Sequence, residues 1–232
     1  MDADFGIVGG GIAGVSAAAE LSALGSVLLW EGEAHLAHHA SGRSAALYEP
    51  RYGAAPVVEL SLASAAGLRA AGVLSPRGLM LLAGADDARV FAADAAAMRL
   101  ERIAVAEAVA RVPILNPAAV AFAAVADHAE DVDTDRLIQG FARAAKAAGA
   151  RIATGTAVTA IARDGGGWRV TAGGAEARVR LLVNAAGPWA DTVAALAGVT
   201  PLGIVPHRRS MARIPAPGGH DVAGWPLSLI HI

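Results

Sequence analysis

The chain has 232 residues, 55% of them hydrophobic and 17% charged, with a formal charge of −2, a size at which an α/β protein folds around one large sheet with an excursion. Its 19 lysines and arginines form no dense run, so nucleic acid is not an expected partner. Zero cysteines exclude disulfides, Fe–S ligation, thiol nucleophiles and cysteinyl attachment of a cofactor, leaving any redox chemistry to a bound organic group.

No apolar stretch approaches the roughly 18 residues of a membrane span. The amino terminus, MDADFGIVGGG, carries acids where an export signal carries Lys or Arg. The expected location is cytoplasmic, with peripheral contact at the inner membrane left open.

In chain order, Ala3–Val8 reads as a buried strand, Ala13–Ala23 as a helix opened by glycines, and Val27–Trp30 as a second strand running into Glu31. This is βαβ order. A long loop of small and polar residues, AHLAHHASGRSAALYEPRYG, precedes a helix expected from about Val57 to Ala71. GLMLLA reads as a strand, Asp87–Leu100 as a helix, and PAAVAFAAVADHAEDVD as a strand with an acidic turn, together an inserted substrate domain. The helix Thr134–Ala148 starts acidic, spaces Leu137, Ile138, Phe141, Ala145 and Ala148 along one face and stops at Gly149. ARIATGTAVTAIARDGGGWRVTA follows as strands joined by a glycine turn, and ARVRLLVNAAG as a strand returning to the first sheet.

Gly9, Gly11 and Gly14 satisfy G-x-G-x-x-G directly after a strand and at the opening of a helix, which is the context that this motif requires. Gly9 permits the tight turn, Gly11 lets a pyrophosphate approach the backbone, and Gly14 allows close helix–strand contact, while the helix N-terminus attracts negative charge. Glu31 follows Gly9 by 22 residues at the end of the second strand, where a carboxylate accepts hydrogen bonds from both ribose hydroxyls and repels a 2′-phosphate. These features call for a dinucleotide, with FAD favoured and NAD the alternative.

ASGRSAALYEPRYG and LLVNAAGPWADTVAALAG, added to the fingerprint, resemble the FAD-dependent D-amino-acid oxidase superfamily, with D-arginine dehydrogenase and related D-amino-acid dehydrogenases nearest in likeness. LSPRGLM, DVDTDRLIQGF and PLGIVPHRRSM extend the resemblance in order along the chain. It implies a fold of class α/β: a Rossmann-like FAD-binding domain of ββα type with an inserted α+β substrate domain, both incomplete at the C-terminus. The implied division is 1–50 and 131–200 for the FAD-binding parts and 51–130 and 201–226 for the substrate parts, with 227–232 set aside as a candidate non-native tail.

The resemblance also implies site residues. Ser41, Gly42, Arg43, Ser44, Ala45, Ala46 and Leu47 would wrap the pyrophosphate and flavin, Val158 would meet the adenine through its backbone, and Gly187 would form the turn beside the cofactor. Ala13 and Gly32 are counted with these contacts. Relatives that attach FAD through histidine carry that residue where Ser44 stands, so attachment is expected to be noncovalent. His35, His38 and His39 suggest a metal, but no acid or fourth ligand is spaced to complete a site, and none is expected.

By the same resemblance Arg209 pairs with the substrate carboxylate and Tyr52 helps to hold substrate, while Arg208 is read as a solvated neighbour. Leu79 stands where the arginine-preferring enzyme has a glutamate for the cationic end of its substrate, and Leu47 likewise replaces a polar neighbour. The implied reaction is hydride transfer from Cα of a D-amino acid with a neutral or apolar side chain to FAD. Its imino acid product is hydrolysed to a 2-oxo acid, and the electrons pass on to quinone or oxygen. Glycine or sarcosine oxidation, 2-hydroxy-acid oxidation and an inactive flavin-binding fragment are the alternatives.

Overall fold

The computed structural model describes residues 1–208, 210–212 and 214–231. Along the chain, β1 (Ala3–Val8), α1 (Ile12–Leu21) and β2 (Val27–Trp30) are followed by a short 3₁₀ turn at Ala40–Gly42. Next come β3 (Leu47–Tyr48), α2 (Ala55–Ala70), β4 (Leu74–Pro76), β5 (Leu79–Ala83), α3 (Ala88–Ala97), β6 (Glu101–Ile103), α4 (Val105–Arg111), β7 (Phe122–Ala126) and β8 (Glu130–Val132). The chain continues through α5 (Thr134–Ala147), β9 (Arg151–Ala153), β10 (Val158–Asp164), β11 (Gly167–Ala172), β12 (Ala175–Asn184), α6 (Ala190–Leu196) and β13 (Leu227–His231).

The chain separates into two compact units, each made of two stretches: Met1–Ala45 with Thr134–Ser210, and Ala46–Asp133 with Met211–Ile232. The first unit thus reaches as far as Ser210, whereas the sequence assigns 201–226 to the substrate domain.

The first unit carries a six-stranded sheet in the order β10-β11-β12-β1-β2-β9. β12, β1, β2 and β9 run parallel, and β10 and β11 continue the sheet antiparallel. Parallel strands are buried on both faces and so lack strict alternation, as the fully buried VLLW of β2 shows. Val27 and Leu29 join Phe5, Ile7, Val15 and Ala18 with Ile138 and Ala145 of α5 on one face. Leu28 and Trp30 join Ile161, Val170, Val179 and Val193 on the other. Of the apolar stripe expected in α5, Ile138 and Ala145 are buried together with Ala142, Leu137 and Phe141 are half-buried, and Ala148 is exposed just past the helix end. The returning strand pairs with β1 from Ala3↔Val179 to Val8↔Asn184. The Rossmann-like α/β unit expected from sequence is therefore present.

The second unit holds a four-stranded sheet, β13-β5-β7-β6, and a three-stranded one, β3-β8-β4. Every residue of β5 is buried. Its odd positions, Leu79, Leu81 and Ala83, meet Phe91 and Ala95 of α3, and its even positions, Met80 and Leu82, meet Ala108 of α4, following the two-residue period of a strand. Residues 227–231, set aside above as a candidate tail, form β13, paired in parallel with β5 from Leu227↔Leu79 to His231↔Ala83. An apolar run beside an unpaired strand edge satisfies that edge's backbone groups whatever its origin.

Candidate functional site

The site is built where the carboxyl ends of β12, β1 and β2 meet the start of α1, the position at which open parallel sheets receive ligands. Gly9 turns the chain out of β1 with φ 110, a conformation that side chains rarely adopt, and a Cβ there would run into the Ala185 carbonyl. A Cβ at Gly14 would fall on the Gly9 carbonyl oxygen, so only glycine lets α1 begin this close to the strand it follows. The first bond within α1 runs from the Val15 N–H to the Gly11 carbonyl at 3.0 Å. The Ile12 N–H instead donates to Ser41 Oγ at 3.0 Å, and those of Gly11, Ala13 and Gly14 have no acceptor inside the helix. The first turn contains no acidic side chain and no side-chain cap. Donors without a helical acceptor at the positive end of the helix dipole are what an anionic pyrophosphate requires.

A cleft of about 350 Å³ opens beside this turn, within the first unit. Its lining includes Gly9, Gly11, Glu31, Gly32, Glu33, His38, His39, Ser41, Val158, Gly187 and Trp189, with no Lys or Arg among the described residues. Positive potential there comes from backbone N–H groups, and the volume is at the lower end of the roughly 300–1,000 Å³ typical of ligand pockets.

Glu31 sits on the cleft wall, with Oε2 accepting the Gly10 N–H at 2.6 Å and Oε1 the Glu33 N–H at 2.8 Å. A carboxylate has about four lone-pair sites, so two remain for ribose hydroxyls while the main-chain bonds fix its orientation. The NAAG turn adds Ala185, Ala186 and Gly187 to the lining. Asn184 Nδ2 donates to the Ala190 carbonyl at 2.7 Å and its Oδ1 accepts the Ala186 N–H at 3.3 Å, which positions Gly187 at φ 55.

Several functional residues could not be seen in the sequence. Glu33 Oε1 lies 2.9 Å from His39 Nε2, and the His39 ring contacts the Trp189 ring with centroids 4.6 Å apart. The hydrogen bond from His39 is the main cause holding the Glu33 carboxyl below its ordinary range; desolvation opposes it, and the nearby His38, His39 and Arg43 add to the lowering. No acid is spaced in the sequence to join the histidine run as a ligand, yet folding brings Glu33 to His38 and His39. Asp191 accepts the N–H groups of Leu202, Gly203 and Ile204 at 2.7–2.9 Å and so secures the segment after α6. Only the acid in PWAD hinted at this.

The other expected site residues are placed as follows. Gly42 closes the 3₁₀ turn against the Ala37 carbonyl. Arg43, Ser44 and Ala45 are exposed beyond it, and Ala46 and Leu47 belong to the second unit, where Leu47 packs beside the Leu79 cluster. Tyr52, also in the second unit, is 61% exposed. Leu79 is 0% exposed, in the core formed with Leu81, Phe91 and Met98, and it also borders a small cleft beside Arg77 and Pro226. Arg208 is exposed, and Arg209 lies outside the described residues.

A sequence model of the family described as FAD dependent oxidoreductase, DAO, matches residues 4–231. The chain belongs to this family of FAD-dependent oxidoreductases. FAD is accordingly its cofactor, and the glycine turn, the donors of α1 and the oriented Glu31 fit the ADP portion of that group.

Among solved structures, glycine oxidase from Geobacillus kaustophilus is similar over 84% of this chain and 58% of its own, at 26% identity and TM-score 0.75. L-α-glycerophosphate oxidase from Mycoplasma pneumoniae, solved with FAD bound, gives 22% identity and TM-score 0.74 over 84% and 57%. L-proline dehydrogenase from P. horikoshii gives 20% and 0.73 over 85% and 56%. The latter two likenesses concern the fold alone. The chain spans less than two thirds of the length of each of these structures. Among the described residues, no helix is long and apolar enough to cross a membrane.

Proposed function

We propose that this family member belongs to an enzyme that oxidatively deaminates a D-amino acid with a neutral or apolar side chain. The observation that carries this reading is the dinucleotide cleft at the start of α1, with Glu31 oriented by two main-chain N–H groups, in a chain of the FAD-dependent oxidoreductase family. The likeness to a glycine oxidase supports an amine substrate. Bound noncovalently, FAD supplies the capacity to accept a hydride.

In this reading the chain's own residues bind and orient. Glu31 accepts hydrogen bonds from the ribose hydroxyls; the N–H groups of Gly11, Ala13 and Gly14 face the pyrophosphate; Val158 meets the adenine through its backbone, and Gly187 forms the turn beside the cofactor. Arg209 pairs with the substrate carboxylate and Tyr52 steadies it. The substrate's neutral amine loses hydride from Cα, and water converts the imino acid to a 2-oxo acid and ammonia. An apolar Leu79 leaves a cationic substrate end without a carboxylate partner, which favours uncharged side chains. The electrons leave to oxygen or to a quinone, and the reaction is assigned to the cytoplasm or the cytoplasmic face of the inner membrane.

Mixing the chain with FAD and recording the visible spectrum after gel filtration tests the cofactor reading, which an absence of retained flavin would overturn. Anaerobic addition of D-methionine or D-leucine should then bleach the flavin, with L-isomers inert. Bleaching by glycine or sarcosine, or by a 2-hydroxy acid, with none by D-amino acids would instead identify the glycine-oxidase-type or hydroxy-acid reading. Retained flavin that no substrate bleaches would mark the chain as a flavin-binding fragment.

A further inference from the structure

Independently of the flavin reading, we infer that Glu33, His38 and His39 form a binding site for a divalent transition-metal ion of the zinc, cobalt or nickel class. One ligand atom from each of the three lies within 4.8 Å of the others, the Glu33 and His39 atoms are 2.9 Å apart, and the two imidazole rings meet edge to face with centroids 4.8 Å apart. Ligands that share a tetrahedral ion at about 2.0–2.2 Å stand roughly 3.4 Å from one another. The trio therefore needs a closing movement on the order of an ångström, available to side chains that are partly exposed.

The backbone makes this convergence possible. Neighbours in sequence point apart on extended chain, but Ala37, at φ 57, bends the loop just before the histidines. The loop is tied at that bend by the Ala37 N–H to the Gly10 carbonyl at 3.0 Å, and ahead of it by the Gly155 N–H to the Glu33 carbonyl at 2.7 Å. Trp189 lies against the His39 ring and limits its rotation. Two neutral imidazoles and one carboxylate provide a mixed nitrogen and oxygen set that suits zinc, cobalt and nickel, whereas magnesium and calcium take oxygen ligands. Three protein ligands leave at least one position for water. His35, third histidine of the run, is not part of the cluster.

The test uses the untagged 232-residue chain, treated with chelator and free of flavin, so that it does not depend on FAD binding. Titration with Co²⁺ should give visible d–d absorption that saturates at one equivalent, and Zn²⁺ should displace it. Glu33→Gln and His38→Gln should each weaken binding by at least the ~10-fold that loss of even an outer partner costs a metal site, while His35→Gln leaves it unchanged. Far-UV circular dichroism checks that each variant is folded; His38 is exposed, so His38→Gln decides if Glu33→Gln unfolds. Absence of saturable binding at one equivalent overturns the inference. So does wild-type affinity in His38→Gln, or equal weakening by His35→Gln.

Discussion

Replacing Gly14 with alanine sets two opposing effects against each other, and the structure decides the sign. Alanine for glycine inside a helix gains about 0.8–1.0 kcal/mol from backbone entropy and propensity. At Gly14, however, the new Cβ would meet the Gly9 carbonyl oxygen, with the Gly9 carbonyl carbon 3.0 Å away. Both partners are backbone, so no rotamer change relieves the contact, and the cost falls toward the upper end of the ~1–3 kcal/mol seen for overpacking. The net expectation is a loss of about 2 kcal/mol. Gly140, in α5, supplies the matched comparison: nothing lies within 4 Å of a Cβ built there, so Gly140→Ala should gain about 0.8–1.0 kcal/mol. The two variants should then differ by about 3 kcal/mol, or roughly 6–12 °C in Tm at this chain length. Urea unfolding followed by circular dichroism measures the difference. Equal stability of the two variants, or a stabilising Gly14→Ala, would refute the close-approach argument.

Leu79→Ala should destabilise the chain by about 2–5 kcal/mol, because it opens a cavity among Leu81, Phe91 and Met98; a loss below 1 kcal/mol by denaturant titration would mean that the site readily collapses. Glu31→Gln should weaken FAD binding by about tenfold or more, given the ~1.5–3 kcal/mol of hydrogen bonds to charged groups, and fluorescence titration of FAD reads this directly. The Asp4 carboxyl is held below its ordinary value mainly by the Ser26 backbone N–H, then by the Ser26 hydroxyl and Arg180, against desolvation. Its stabilisation is complete above the unfolded value and is lost as pH falls through the folded one. Wild type should therefore lose Tm more steeply than Asp4→Asn as pH drops below about 4, and parallel curves would count against the role given to Asp4.

Local patterns made much of the cofactor half legible. Val27–Trp30 is delimited by an unbroken apolar run, Ala3–Val8 by a largely apolar segment that ends at the glycine turn, and α5 by its 3.6-residue stripe, because burial against a parallel sheet imposes those patterns on sequence directly. The three-residue strands β4 and β6 and the seven-residue α4 are too short to carry a period, and they form through pairing and packing with distant residues. β13 likewise depends on the free edge of β5 rather than on its own composition.

The sequence by itself determined the turn that receives the dinucleotide, since the spacing of Gly9, Gly11, Gly14 and Glu31 encodes steric and hydrogen-bonding needs within one βαβ unit. Tertiary structure alone decided that Leu79 is a core residue and that residues 227–231 pair as a strand with β5. It alone gathered Glu33, His38 and His39 beside Trp189. The physical reason is range: a turn's requirements are met by its immediate neighbours, whereas burial and side-chain convergence depend on which distant segments the chain brings together.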